Sequence, residues 1–548
     1  MRKLLLTALL LSAALPLAEA GKLTMRVLDA DSGEPLPARI YLQNDEGESF
    51  FPESLTTAGS ALPYTEQWVP IAGSSELHTT VSPHPSYCIL PPGQYTLQVE
   101  RGKEYIPFVQ QLDIGAEDIS VQVTLQRWSD MASRGWYSGE THVHRRIHEL
   151  PNVMAAEDLN VAFPVTFWTV RSDRPPDLSP SPLRRQGPSP FGPREDAGSE
   201  PIIIDASHVI FPRNTEYEIF SIGEQRHVLG AMFLLNPQQP FARLAPPVTP
   251  IATAAHAEGA LIDLDKHSWP WSLMLIPVAN VDLFELSNNS VWRTNFGFRT
   301  APAVPPPWTT LERSADGGLT EWGWLNYGFE MYYALLNCGF RLSPSAGTAS
   351  GVHPVPLGHS RVYVHTGPHF DREQWLQGLK AGRSFVTTGP MLEVTINDQL
   401  ADHQFRVDGP GPHRFHVQIR STSLHKPEAI EILVNGTVQH RLQPESPASS
   451  HGCWTITAEQ TVQIDRTSWI AVRSVVPQQD GRRRFAHTAP WHVTVQSQPV
   501  QPRADQVQYF LQLMEAEQQR SAELLPEPAQ LEYQQAIQVY RELLERAE

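Results

Sequence analysis

Residues 137–144 read YSGETHVH, and His142 and His144 are the groups here whose type and spacing suit metal chemistry. Side chains alternate along a strand, so both imidazoles would project to the same side. Two imidazoles so placed can ligate one or two divalent ions through nitrogen. Glu140 shares their parity, and His148 follows in what reads as a loop. An H-x-H pair is also common on surface strands that bind nothing, so the motif alone leaves both readings open.

The elements that must carry this motif come from hydrophobic periodicity. From residue 21 to 128, Tyr95, Leu97 and Val99, then Val121, Val123 and Leu125, alternate between Pro/Gly turn signals. Period-two runs of this kind indicate an antiparallel β-sandwich. The stretch PPGQYTLQVERG resembles the small sandwich modules found beside extracellular carboxypeptidases and many secreted enzymes, which support or bind. Between 129 and 390 apolar runs such as VAFPVTFW, HVLGAMFLL, GALIDLD and VDLFELS alternate with helix-like stretches. That pattern suggests an α/β unit with parallel strands buried on both faces. Residues 171–200, rich in Pro, Ser and Arg, read as a long irregular insertion, either a lid or a mobile surface loop. Short strands return over 391–498, a second sandwich. In the tail, 499–548, Val507, Phe510, Leu511 and Met514 share one helical face, and Leu531, Tyr533, Ile537, Tyr540 and Leu544 mark a second helix after Pro526 and Pro528. Such a helical hairpin docks either on the rest of the chain or on a protein partner.

Composition limits the function further. The 548 residues carry a net charge of −17, which argues against nucleic acid as a partner because phosphate binding needs a basic surface. Residues 1–20 read as a signal peptide: Arg2 and Lys3, an apolar stretch over 4–15, and Ala18-Glu19-Ala20 at the cleavage site. An uncleaved anchor is the alternative. Export to the periplasm or the extracellular space follows, with no membrane span left after cleavage, because no later stretch is apolar enough. Cys88, Cys338 and Cys453 are three, so at least one thiol stays free or pairs between chains.

WYSGETHVHR, AEDLNVAFPVTFW, NTEYEIFSIGEQRHVLGAMFLLN, AAHAEGALIDLDKHSWPW, VDLFELSNN, GFRLSPSAGTASGVHPVPLGHSRVYVH and LKAGRSFVTTGPML occur in that order. The series resembles the PHP metallohydrolases, named for polymerase and histidinol phosphatase, in their CehA/McbA-like branch of carbamate and ester hydrolases. The resemblance covers roughly residues 135–391. It implies a distorted (β/α)7 barrel, flanked here by the two sandwiches and the hairpin, with ligands at the C-terminal strand ends. The family's D-x-H-x-H matches with His142 and His144 kept and Glu140 in the Asp place. The T-D-H motif reads Thr166-Phe167-Trp168, and S-D-x-H reads Thr348-Ala349-Ser350-Gly351, so both have lost their ligands. Glu216 or Glu218 fits the acidic third motif, His227 the following His, and His267 the family's next His. His353 and the more distant His359 are substitutes for the lost last ligand, Asp265 and Glu285 supporting carboxylates, and His256 no ligand.

The implied metal set is therefore His142, His144, Glu216, His227 and His267, holding one or two zinc, manganese or iron ions. An ion with an open position lowers the pKa of its water to about 7. Glu140 then serves as general base, and Arg145 or Arg361 steadies an anionic transition state; surface pairing is the plain alternative for both arginines. Trp168, Trp269 and Trp271 line a pocket or pack a core. Two functions remain: an exported metal-dependent hydrolase of an ester, amide, carbamate or phosphoester in a small-molecule or cell-envelope substrate, or a degenerate barrel serving as an envelope binding or scaffold protein.

Overall fold

The computed structural model describes residues 20–67, 73–178, 195–294, 296–443 and 452–548. The expected signal segment and most of the 171–200 insertion lie outside these residues. The chain is mixed α/β, with four sheets and seven α-helices among the described residues. None of the helices is long and apolar enough to cross a membrane. All three cysteines are buried, and none is in a disulfide.

The N-terminal strands follow their period-two pattern. Gly21–Asp29 buries Leu23, Met25 and Val27, and pairs antiparallel with Ser86–Leu90 and parallel with Ile119–Leu125. Ala38–Asn44 lies between Ser75–Val81 and Gly93–Glu100 in a second sheet. Leu23, Leu97, Val99 and Val123, from both sheets, belong to one apolar cluster.

The H-x-H motif lies at the end of Trp136–Val143, a strand buried along all its length, with His144 the residue just past it. Val161–Pro164 flanks it on one side and Ser343–Ser350 on the other, both parallel. Beyond Ser343–Ser350 follow Leu283–Ser287 and Leu261–Leu264, also parallel. Parallel neighbours need crossover connections, which the helices Leu150–Glu157, Ser272–Ala279 and Glu321–Asn337 help to supply. Gln225–Leu235 breaks the expected parallel pattern. It runs antiparallel to both Leu261–Leu264 and Asn214–Ile222, and the latter pairs parallel with Phe167–Arg171. The cause is local: Ile222 pairs with Gln225 across Gly223 and Glu224, with Gly223 at φ +56°. A two-residue connection allows a hairpin but no crossover.

The C-terminal strands continue from this unit. Ser384–Thr387 pairs antiparallel with Arg483–Thr488, and Tyr363 and Phe385 join the apolar cluster of residues 391–495. The tail helices Ala504–Ser521 and Glu527–Glu545 bury Val507, Phe510, Met514, Tyr533, Ile537 and Tyr540 in the main core. Tyr540 donates its hydroxyl proton to the Leu273 carbonyl at 2.8 Å. The hairpin thus docks on its own chain.

Candidate metal centre

His142 and His144 share one side of their strand, and their Nε2 atoms are 3.1 Å apart. Glu216 joins them, with Oε2 3.4 Å from His144 Nε2, and these three residues meet the spacing of a metal-binding group. Two nitrogens ligating zinc at about 2.05 Å across a tetrahedral angle lie ~3.3 Å apart. The two observed distances, 3.1 and 3.4 Å, match edges of such a tetrahedron. Glu216 faces the histidines through register, since it pairs with Trp168 on one neighbouring strand and Phe233 on the other. Those rings form the walls: Trp168 packs on His144 at 4.6 Å between centroids, and Phe233 on His142 at 4.3 Å. The indole thus packs beside His144.

The other nitrogen of His142 meets a second group. Nδ1 lies 3.1 Å from Glu285 Oε1 and 3.8 Å from Asp265 Oδ1, and His142, Asp265 and Glu285 also meet metal-binding spacing. His142 is common to both groups, so the carboxylates can orient its ring while Nε2 ligates, or share an ion at Nδ1. Lys266 closes this side, its ammonium 2.5 Å from Asp265 Oδ2 and 4.3 Å from the Trp269 ring centre. Burial pushes the His142 pKa down to about 3, so the imidazole is neutral and its lone pair free for an ion. Burial and the neighbouring Asp265 charge push the Glu285 carboxyl well up. Burial acts against Asp265 too, yet Lys266 holds it below the usual carboxylate range. Three buried carboxylates with one buried lysine fit a site completed by a cation. Gly347 makes the close approach possible, because a Cβ there would lie 2.2 Å from His142 Cβ and 2.4 Å from Glu285 Oε1.

The remaining expected site residues lie elsewhere in the fold or have other tasks. His227 is not in the cluster: its Nε2 is 2.8 Å from Ser521 Oγ, and Arg520 lies 3.3 Å from its Nδ1. It sits six residues before Phe233 on the antiparallel strand, about 20 Å from it at ordinary strand rise. His267 is also outside both groups; its ring packs on Trp324 and Tyr327, past the end of Leu261–Leu264, and Asp265 takes the inward place. Glu140 is no free base. It accepts from the Thr348 hydroxyl and backbone N–H, the latter at 2.7 Å, and from Gly358 N–H at 2.6 Å. Burial pushes its pKa up to about 8 despite those bonds. Arg361 spends its guanidinium on the carbonyls of Gly358, Asp158 and Glu157, fixing the same loop. Arg145 lies over Tyr64, 4.4 Å from the ring centre, and 3.6 Å from Glu149. His353 bonds Asn289 at 3.0 Å, His359 meets Lys103 at 3.2 Å, and His148 is exposed.

A cavity of about 430 Å³ abuts the centre, and Lys266 belongs to both. Its walls are Trp269, Phe298, Trp324 and Tyr327, while Trp271 is fully buried. The sequence pattern undervalued Asp265, Glu285 and Lys266. Their signal was a polar side chain at the carboxyl end of an apolar strand, as in LIDLDK and LFELSN. In comparisons with family models, with curated proteins and with solved structures, the chain matches none.

Proposed function

We propose that the chain is an exported metal-dependent hydrolase of the PHP type, acting on an ester, amide, carbamate or phosphoester. The observation that carries this reading is the face formed by His142 Nε2, His144 Nε2 and Glu216 Oε2, with edges of 3.1 and 3.4 Å. Strands that run in the order 161–164, 136–143, 343–350, 283–287, 261–264, 225–235, 214–222 and 167–171 suit a distorted barrel. The two N-terminal sheets over one core suit a sandwich, as do the strands of 391–498.

A nitrogen-and-carboxylate donor set favours zinc, manganese or iron over calcium, and such an ion would polarise the scissile group and acidify water. The chain's residues do the rest. Glu285 accepts the Nδ1 proton of His142 and so turns Nε2 toward the centre. Lys266, rather than Arg145 or Arg361, supplies positive charge where the cavity meets the centre. Trp269, Phe298, Trp324 and Tyr327 exclude water and hold an apolar part of the substrate.

Metal analysis of the purified protein tests this reading. At least one equivalent of transition metal is expected in the wild type and none in the His142→Ala/His144→Ala protein, with hydrolysis of a panel of esters and phosphoesters lost in parallel. A metal-free wild type overturns it. Metal without turnover across the panel favours the binding or scaffold reading instead. The enclosure of Glu140 and Arg361 in the loop, and the indole beside His144, are the observations on that side.

A further inference from the structure

A second cavity, of about 260 Å³, lies away from the metal centre where the first sheets, the loop 351–360 and the C-terminal strands meet. That is far above the ~10–15 Å³ needed by one water. Its lining holds four cations, Arg39, Lys103, Arg293 and Arg484, against two carboxylates, Glu100 and Glu157. The arginines are accounted for. Arg39 lies between Glu100 and Glu157; Arg293 is 3.3 Å from Glu100; Arg484 is 2.7 Å from Glu321, a carboxylate it shares with Arg482.

Lys103 is the surplus. Its Nζ meets only neutral groups, the Thr388 carbonyl and His359 Nδ1, both at 3.2 Å, and no carboxylate lies within 4.0 Å of it among the described residues. A part-buried ammonium beside three guanidinium groups, with only the more distant Glu100 as counter-charge, is costly to keep. Burial, then Arg484, Arg361 and Arg39, push its pKa well below the ordinary lysine value, which states the same imbalance. An anion in the cavity offsets it, accepting a hydrogen bond from the third N–H of Lys103.

We infer that this cavity is an anion-binding site for a small oxyanion, a phosphate or carboxylate group, held by the Lys103 ammonium with Arg484 and Arg293 behind it. Because its walls come from three parts of the chain, the bound anion ties them together. Neither side chain used for the metal centre nor any residue of the aromatic cavity takes part, so the site stands or falls independently of hydrolysis.

The test is calorimetric titration of chelator-treated full-length protein with inorganic phosphate and, separately, acetate. Saturable binding is expected, weakening as sodium chloride rises, with a rise in melting temperature that follows ligand concentration. Lys103→Met should weaken binding at least tenfold, and His142→Ala/His144→Ala should leave it unchanged. Phosphate binding marks a tetrahedral-anion site, acetate binding a carboxylate site. Binding of neither, or binding that survives Lys103→Met, overturns the inference. Should Lys103→Met not fold, Lys103→Gln serves the same comparison, and retention of binding there overturns it equally.

Discussion

Gly347 lies on the strand between those carrying His142 and Glu285, and its lack of a side chain sets how near those two groups lie. A methyl group added there would overlap His142 Cβ and Glu285 Oε1 at once. Neither neighbour can yield freely, because His142 is wedged against Phe233 and His144 and Glu285 is buried. Overpacking of this kind costs about 1–3 kcal/mol. It also shifts a ligand and the carboxylate that orients it, and losing such support weakens metal binding roughly 10–100-fold. Gly347→Ala is therefore expected to lower metal affinity in a competition titration and to lower the unfolding midpoint. Gly115→Ala, with nothing within 4 Å of the added carbon, should do neither. Equal metal affinity in both proteins would show that the His142–Glu285 approach is unimportant. From the sequence, Gly347 is one small residue in SAGTAS; its role depends on a contact across 205 residues of chain.

Among the elements, the second tail helix reaches furthest into the fold. Glu532, buried on Glu527–Glu545, accepts from Val248 N–H at 2.8 Å, from Thr249 N–H at 2.7 Å and from the Thr249 hydroxyl at 2.7 Å. It thereby caps the start of Thr249–Ala257, which has no capping side chain of its own. Helix N-termini favour negative charge, so Glu532→Gln removes part of that stabilisation and leaves a donor poorly matched: about 1–3 kcal/mol. Denaturant unfolding measures the loss, and amide exchange should speed up first in the helix 249–257. A protection pattern unchanged there would mean the tail is not what holds the helix. The tail's amphipathic faces were legible because helical period survives without tertiary context. The strands show where such reading stops. Period two told that His142 and His144 share a side, as do Glu216 and Glu218, and Asp265 and His267. It could not tell how deep each lies, which register with neighbouring strands decides. Glu216 rather than Glu218 joins the histidines, and Asp265 rather than His267, for that reason. His227 lies outside the cluster because it sits on the far arm of a hairpin whose signal, IGEQ, is a two-residue turn.

For the molecule as a whole, one ionic chain joins the first sheets to the unit that carries the metal centre. Arg293 bonds Glu100, Glu100 bonds Arg39, and Arg39 bonds Glu157 at the end of the helix Leu150–Glu157. All four groups are largely withdrawn from water, so breaking one link leaves an uncompensated charge and costs more than a surface pair would. Burial alone would raise the Glu100 pKa, but Arg39 and Arg293 overcome it and bring the value from 4.5 to about 2. A depressed carboxylate binds protons more weakly in the folded chain than in the unfolded one. Its contribution is thus complete above about pH 4.5 and drains away as pH falls toward 2. At 1.36 kcal/mol per unit the full effect is on the order of 3 kcal/mol. Glu100→Gln should destabilise the protein at neutral pH, where Arg39 and Arg293 lose their shared partner. The gap to wild type should then narrow steadily in melting scans taken from pH 5 down to pH 2. Parallel curves across that range would show that Glu100 carries no such linkage.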